Sequence, residues 1–268
     1  MDSLYDTAER ISASNSGKNK IKDLKEEMKR DAEALLLQKF PARVLRLEEL
    51  LRSPEFNIRP TECHAEINVP RPSPVFDNSN QAQESPSKNH LSENGEPKAK
   101  RLCFIETDKI GGTKVLALPG GVVGLNEAIT SMYTVVKPLI AQLINDCNLL
   151  KMWIQFLIPK VEDGNNFGVG IQEDCLGEVR TVEVEAAAFL DQMSRYYTAR
   201  GGMITKIAKY PHVEDFRKAV DELDEKTYVT IRLTVTELRN NYSTLHDIIT
   251  KNLDKIKLPR TSNTQNLY

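Results

Sequence analysis

FRKAVDELDEKTYVTIRLTVTELRNNYSTLHDIITKNLDKI, residues 216–256, decides the fold. Apolar side chains recur at Phe216, Val220, Leu223, Ile231, Val235, Leu238, Tyr242, Leu245, Ile249, Leu253 and Ile256, in steps of three, four or their sums. That spacing draws one stripe along an α-helix. No glycine or proline interrupts the stretch, and Pro259 follows as a stop. A long helix with a single apolar face cannot be stable alone, so it predicts packed partners.

The partners lie toward the N-terminus. Tyr210-Pro211-His212 marks a turn, and a third helix precedes it from about Ile171. Its stripe is Leu176, Val179, Val182, Ala186, Leu190, Met193, Tyr197, Ile204 and Ile207. Gly201-Gly202 weakens this helix near its end, at roughly 1 kcal/mol per glycine. Before it stands Glu162-Asp163-Gly164-Asn165-Asn166-Phe167-Gly168, whose glycines and asparagines favour a tight turn with left-handed positions. A second helix begins near Leu125 and carries Met132, Val136, Leu139, Leu143, Cys147, Leu150, Ile154 and Leu157, with Pro138 predicting a bend. The first helix shows Ile21, Leu24, Met28, Ala32 and Leu35, then Val44, Leu47 and Leu51. Pro41 is expected to kink or divide it. Short connections force neighbours to run antiparallel, so the expected fold is all-α: an elongated antiparallel four-helix bundle. Its long charged faces invite side-by-side packing into an oligomer.

The expected organisation has three parts. Residues 1–69 form an N-terminal helix region. Residues 70–113 form a disordered linker, with Pro70, Pro72, Pro74, Pro86 and Pro97 among Ser, Asn, Gln and Glu and no apolar period. Residues 114–268 complete the bundle, opening on an irregular or strand-like Lys114–Leu118. The linker holds a basic cluster at Lys98, Lys100 and Arg101, and Ser85-Pro86 is a phosphorylation candidate.

Composition narrows the function. A net charge of -2 supplies no global field for nucleic acid or an acidic membrane. Aromatics at 6% are too few for a single-strand stacking platform. No run approaches the roughly 20 apolar residues of a membrane span, and the first residues lack the apolar core of a signal peptide. The expected compartment is cytoplasmic or nuclear. Cys63, Cys103, Cys147 and Cys175 form no CxxC pair and are expected to be reduced thiols.

A search for chemistry finds little. The residues three before His64, His90, His212 and His246 are Thr61, Ser87, Lys209 and Ser243, so no Glu-x-x-His di-iron motif exists. No GxSxG occurs. Cys63-His64 are read as ordinary surface residues rather than a chelate. Gly111-Gly112-Thr113-Lys114 lacks the phosphate-loop spacing. Catalytic residues, metal and cofactor are all expected to be none.

Three segments carry a specific resemblance. Ile158-Pro159-Lys160-Val161-Glu162-Asp163-Gly164-Asn165-Asn166-Phe167-Gly168-Val169 resembles the activation loop of the eleven-S (REG) proteasome activators. Lys206-Ile207-Ala208-Lys209-Tyr210-Pro211-His212-Val213-Glu214-Asp215 is similar to the turn between the last two helices of that family. The C-terminal stretch from Lys255 to Tyr268 is similar as well. Lys151-Met152-Trp153 and Ser194-Arg195-Tyr196-Tyr197 look most like the gamma-type subunit. The resemblance is strongest from about Val122 onward and collinear over residues 20 to 70.

The resemblance implies a non-catalytic homo-oligomer, a heptameric ring with a central channel. It implies docking on the α-subunit ring of the proteasome core and ATP-independent degradation of protein or peptide substrates. No membrane and no specific nucleic acid are implied. It assigns Glu162, Asp163, Gly164, Asn165, Asn166, Phe167 and Gly168 to contact with the core's gate, and Asn266, Leu267 and Tyr268 to a docking tail. Many weak tails on one ring gain avidity, because later ones bind intramolecularly. The tail lacks the penultimate tyrosine of ATP-dependent activators. Gly201-Gly202 replaces a stiffer, partly basic pair of gamma-type relatives. The basic cluster, read with the resemblance, implies import into the nucleus, with the cytoplasm as second compartment. The competing expectation is a helical coiled-coil scaffold unrelated to the proteasome, which would not need Leu267 and Tyr268.

Overall fold

The computed structural model describes residues 2–72 and 121–260, with side chains from residue 17 onward. Within them every regular element is helical. Helix α1 spans Asp2–Ala34 and α2 spans Phe40–Arg52, joined by a π-helical turn at Leu35–Lys39. The backbone stays right-handed helical through Ala34, Lys39 and Phe40, so the two form one rod. The expected break at Pro41 is thus a π-turn instead. Phe40 donates its N–H to the Leu35 carbonyl, five residues back, and Pro41 then falls in the first turn of α2, where its missing donor is least needed. Two short 3₁₀ turns, Pro54–Phe56 and Pro60–Cys63, follow.

Helix α3 spans Glu127–Leu157, α4 Phe167–Lys209, α5 Glu214–Lys251 and the short α6 Leu253–Lys257. Asn126 caps α3 by accepting the Ile129 N–H at 3.1 Å, as capping asparagines do. Pro138 lies inside α3 without dividing it. Helix α4 runs unbroken through Gly201-Gly202 and is about 65 Å long. It starts at Phe167, a turn earlier than expected.

The pairings give the topology. Lys151 meets Glu183 and Gln172 meets Leu157, so α3 and α4 run antiparallel. Tyr196 meets Asp224, so α4 and α5 do too. Glu48 pairs with Arg239 and Ile58 with Tyr228, which sets α2 antiparallel to α5. Asp146 with Tyr242 and Asn126 with Asp224 keep a nearly constant offset, so α3 and α5 are parallel. The result is the up-and-down four-helix bundle.

Its core is continuous. Leu36, Phe40, Ile140, Leu143, Cys147, Leu150, Trp153, Ile154, Val179, Ala186, Val235, Leu238 and Ile249 are fully or almost fully buried. Along α5 and α6 the opening stripe is buried from Val220 to Ile256 apart from half-buried Leu223 and Leu253. Leu190 departs from its stripe and is exposed. A smaller cluster of Val69, Ile207 and Val220, with Phe216 against it, closes one end. Cys63 corrects the surface reading: it is fully buried, and its thiol donates to the Pro60 carbonyl at 2.8 Å. Ile21 and Leu24, expected on a buried stripe, are 57% and 54% exposed among the described residues.

Candidate functional site

The α3–α4 connection covers residues 158–166 and has no regular structure. Gly164 has φ 80° and Asn165 has φ 50°, two successive left-handed residues at the sharpest point. Glycine is free there and asparagine is among the few side chains that tolerate it. Of the seven residues read as the turn, Glu162 to Asn166 form it, while Phe167 and Gly168 open α4. Phe167 and Val161 are largely or fully exposed, which puts two apolar side chains at the surface of the turn.

Asn166 precedes α4 but does not cap it with its side chain. Its Nδ2 instead donates to the Glu162 carbonyl at 3.1 Å, closing the turn on itself. Its Oδ1 accepts from Arg260 Nη2 at 3.0 Å, and Arg260 Nη1 donates to Glu162 Oε2 at 3.0 Å. One guanidinium therefore bridges both ends of the turn. Asn165 also has an interaction partner.

Arg260 is held in place by what precedes it. Gly168 faces the Pro259 backbone so closely that a Cβ there would lie 2.2 Å from the Pro259 carbonyl oxygen. Gln172, fully buried, donates from Nε2 to the Ile256 carbonyl at 2.7 Å and the Leu157 carbonyl at 3.1 Å. Ile256 is buried, and Lys257 pairs with Glu33 of α1 at 2.8 Å. The ends of α3 and α5, the start of α4 and the middle of the first rod thus meet at one end of the bundle. The root of the C-terminal segment is fixed there beside the turn.

The opposite end carries a buried polar knot. Asp224, fully buried, accepts from Asn126 Nδ2 at 2.8 Å and Tyr196 OH at 2.8 Å, and pairs with Arg200 at 3.3 Å. Asn126 also donates to the Cys63 carbonyl at 2.8 Å, and Arg200 to the Gly124 carbonyl at 3.3 Å. Burial, then the Asp224 carboxylate, push the Tyr196 phenol far up from its ordinary value. Halfway along, Arg43 pairs with Asp146, which also accepts from Tyr242 OH at 2.7 Å. These knots set helix register.

His64 lies 2.7 Å from Glu225. Among the described residues no group of three or more His, Cys, Asp or Glu side chains could hold a metal, and no helix is long and apolar enough to cross a membrane. Lys98, Lys100, Arg101, Ser85-Pro86, Gly111-Gly112, Lys114–Leu118, and Asn266, Leu267 and Tyr268 lie outside the described residues. The structural partners missed by sequence reasoning are Arg260, Pro259 and Gln172. Their contacts span long stretches of chain, and no local pattern signals them.

The family model described as proteasome activator PA28, C-terminal, matches residues 122–266, and the N-terminal PA28 model matches residues 15–74. Proteasome activator complex subunit 3 of Homo sapiens is 46% identical over 253 residues, covering 94% of this chain and 96% of its own length. That of Gallus gallus is 45% identical over 252 residues, with the same coverage. Among solved structures, the 11S subunit of the Plasmodium falciparum proteasome, PA28, superposes with a TM-score of 0.65 at 26% identity, over 92% of this chain and 95% of that one. The chain belongs to the PA28 family of proteasome activators.

Proposed function

We propose that this chain is a non-catalytic subunit of a heptameric activator ring. It docks on the α-subunit ring of the proteasome core through Asn266, Leu267 and Tyr268. It opens the core's gate with the turn from Glu162 to Gly168, and so stimulates degradation of peptides and proteins without ATP. The observation that carries this reading is the clustering at one end of the bundle. The left-handed Gly164-Asn165 turn and the root of the C-terminal segment are held side by side by Arg260. A docking element and a gate-contacting element must face the same partner, and the root of the first stands beside the second.

Assembly has its own support. Ile21, Leu24, Leu37 and Leu45 on the first rod are half or more exposed, as are Leu233 and, less so, Val229 on α5. Apolar side chains left open on the first rod and on α5 suit a contact between copies, and a head-to-tail contact of that kind closes into a ring. Residues 70–113 are read as a linker between residues 1–69 and 114–268, with Lys98, Lys100 and Arg101 as a nuclear-import address. Neutralising those three cations should move a tagged chain to the cytoplasm, and unchanged nuclear retention would remove the address.

The test mixes the purified chain with latent proteasome core and follows hydrolysis of fluorogenic peptides. Stimulation by the intact chain, and none by a form lacking Gln265 onward, is the expected result. A well-formed oligomer that never stimulates would defeat the gate-opening reading and favour a scaffold.

A further inference from the structure

We propose that Arg260 is a positioning residue of the activator. Its guanidinium clasps the gate-contacting turn to the root of the docking segment, so that docking fixes where the turn stands. This inference rests on the gate-opening reading above.

Three observations carry it. First, Arg260 uses its fork on two different acceptors, Glu162 Oε2 and Asn166 Oδ1, each at 3.0 Å. These residues flank the left-handed pair Gly164 and Asn165, so the clasp spans the turn rather than touching one side. Second, the arginine is itself well placed. Pro259 is pressed on Gly168 at the start of α4, and the Arg260 side chain is only 19% exposed while Glu162 is 65% exposed. The arginine is therefore the fixed jaw and the turn is the part being held. Third, Asn166 Nδ2 also donates to the Glu162 carbonyl at 3.1 Å, so the two residues that Arg260 holds are tied to each other across the turn and are held as one unit.

Physical size decides what kind of role this is. A half-exposed ion pair adds little to stability. The same pair can still restrict a short segment to one geometry, and geometry is what a mechanical contact needs. Charge and fork both matter, because a lysine ammonium is a point donor without the planar reach to two acceptors.

The experiment compares Arg260→Met, which keeps the aliphatic stem, with Arg260→Lys and the unaltered chain. Each is assayed as an intact ring with latent core, varying activator concentration with a fluorogenic peptide. The expected result for Arg260→Met is a maximal stimulation lowered about tenfold with the half-maximal concentration unchanged, and an intermediate loss for Arg260→Lys. Amide hydrogen exchange on the free rings is expected to quicken at residues 161–170 in Arg260→Met and nowhere else.

Full maximal stimulation by Arg260→Met overturns the proposal. So does a raised half-maximal concentration with an unchanged maximum, which would make Arg260 a docking residue. Unchanged exchange at the turn overturns it without any use of the core. Should Arg260→Met fail to form rings, Arg260→Lys carries the test, and unaltered stimulation by it is equally fatal. An unaltered ring that docks without stimulating defeats the gate-opening reading instead, and the exchange result then judges the clasp separately.

Discussion

The two ends of this bundle use arginine and carboxylate in opposite ways. At one end Arg200 and Asp224 pair inside the protein, at 5% and 1% side-chain exposure. At the other, Arg260 reaches Glu162 at 19% and 65%. The Asp224 knot joins the 3₁₀ turn at Cys63, the start of α3, α4 and α5, and every carboxylate oxygen in it is engaged. The Arg260 clasp joins only a turn and a chain segment. A buried carboxylate must have its oxygens engaged, because it has lost its water. An exposed pair can open at little cost, which suits an element that meets a partner. Burial therefore separates the end that maintains the fold from the end proposed to act on the gate.

The sharpest way to break this comparison is to remove the buried acceptor. Asp224→Ala leaves Arg200 buried without its counter-ion and deprives Asn126 and Tyr196 of a partner. The expected loss is about 3–5 kcal/mol, or a fall in melting temperature on the order of 10 °C. Arg260→Met should shift the same melting curve by less than about 1 kcal/mol. Equal losses in the two variants would erase the distinction.

Gly168→Ala comes next, because it strikes the contact that seats the clasp. The added methyl would meet Pro259 backbone atoms at 2.2 to 2.7 Å, and backbone cannot swing aside. Overpacking of this kind costs about 1–3 kcal/mol, partly offset by the roughly 1 kcal/mol helix preference of alanine over glycine. The melting curve should move modestly while stimulation of the core falls further than in Arg260→Met. Stimulation equal to the unaltered chain would show that Pro259 is free to move.

What could be read from sequence follows the same division. The α5 stripe, the α3 stripe and the positive-φ turn were legible because each is written in residues close along the chain. Pro41 was legible as a disturbance but not as a π-turn, since its outcome depends on the five-residue bond from Phe40 to Leu35. Gly201-Gly202 sit in an intact helix because the packing of Tyr196 and Ile207 on either side outweighs local preference. The start of α4 at Phe167 was missed because its first turn lacks a capping side chain. Arg260 was invisible: its partners lie 94 and 98 residues away, and a single arginine after a proline makes no pattern.

The knot also leaves a mark on a thiol. Burial foremost, then the Asp224 and Glu225 carboxylates, push Cys63 from its ordinary 9.0 up to about 11, and burial foremost pushes Cys147 to about 12. A raised folded-state value means the fold favours the protonated thiol. The resulting stability is complete below about pH 8.5, where the unfolded thiol still holds its proton, and is lost as pH rises from there toward 11 and beyond. Both thiols should resist alkylation at pH 8 in the native ring and react quickly in denaturant. Rapid native labelling of Cys63 would mean that the knot opens, contrary to its role as the maintaining end.

The smallest expected effect is a gain. Gly201 and Gly202 lie within α4, are exposed, and a Cβ on either meets nothing within 4 Å. Neither has a positive φ, so neither needs glycine for its backbone conformation. Gly201→Ala should therefore stabilise by about 0.5–1 kcal/mol through helix preference and a less free unfolded chain. This site is next to Arg200 in sequence, at the maintaining end, and far from the turn. A rise in melting temperature with unchanged maximal stimulation is the outcome the comparison requires. A stabilised variant that stimulated less would mean that flexibility at the far end reaches the turn proposed to contact the gate. The bundle would then act as one lever rather than as two ends with separate duties.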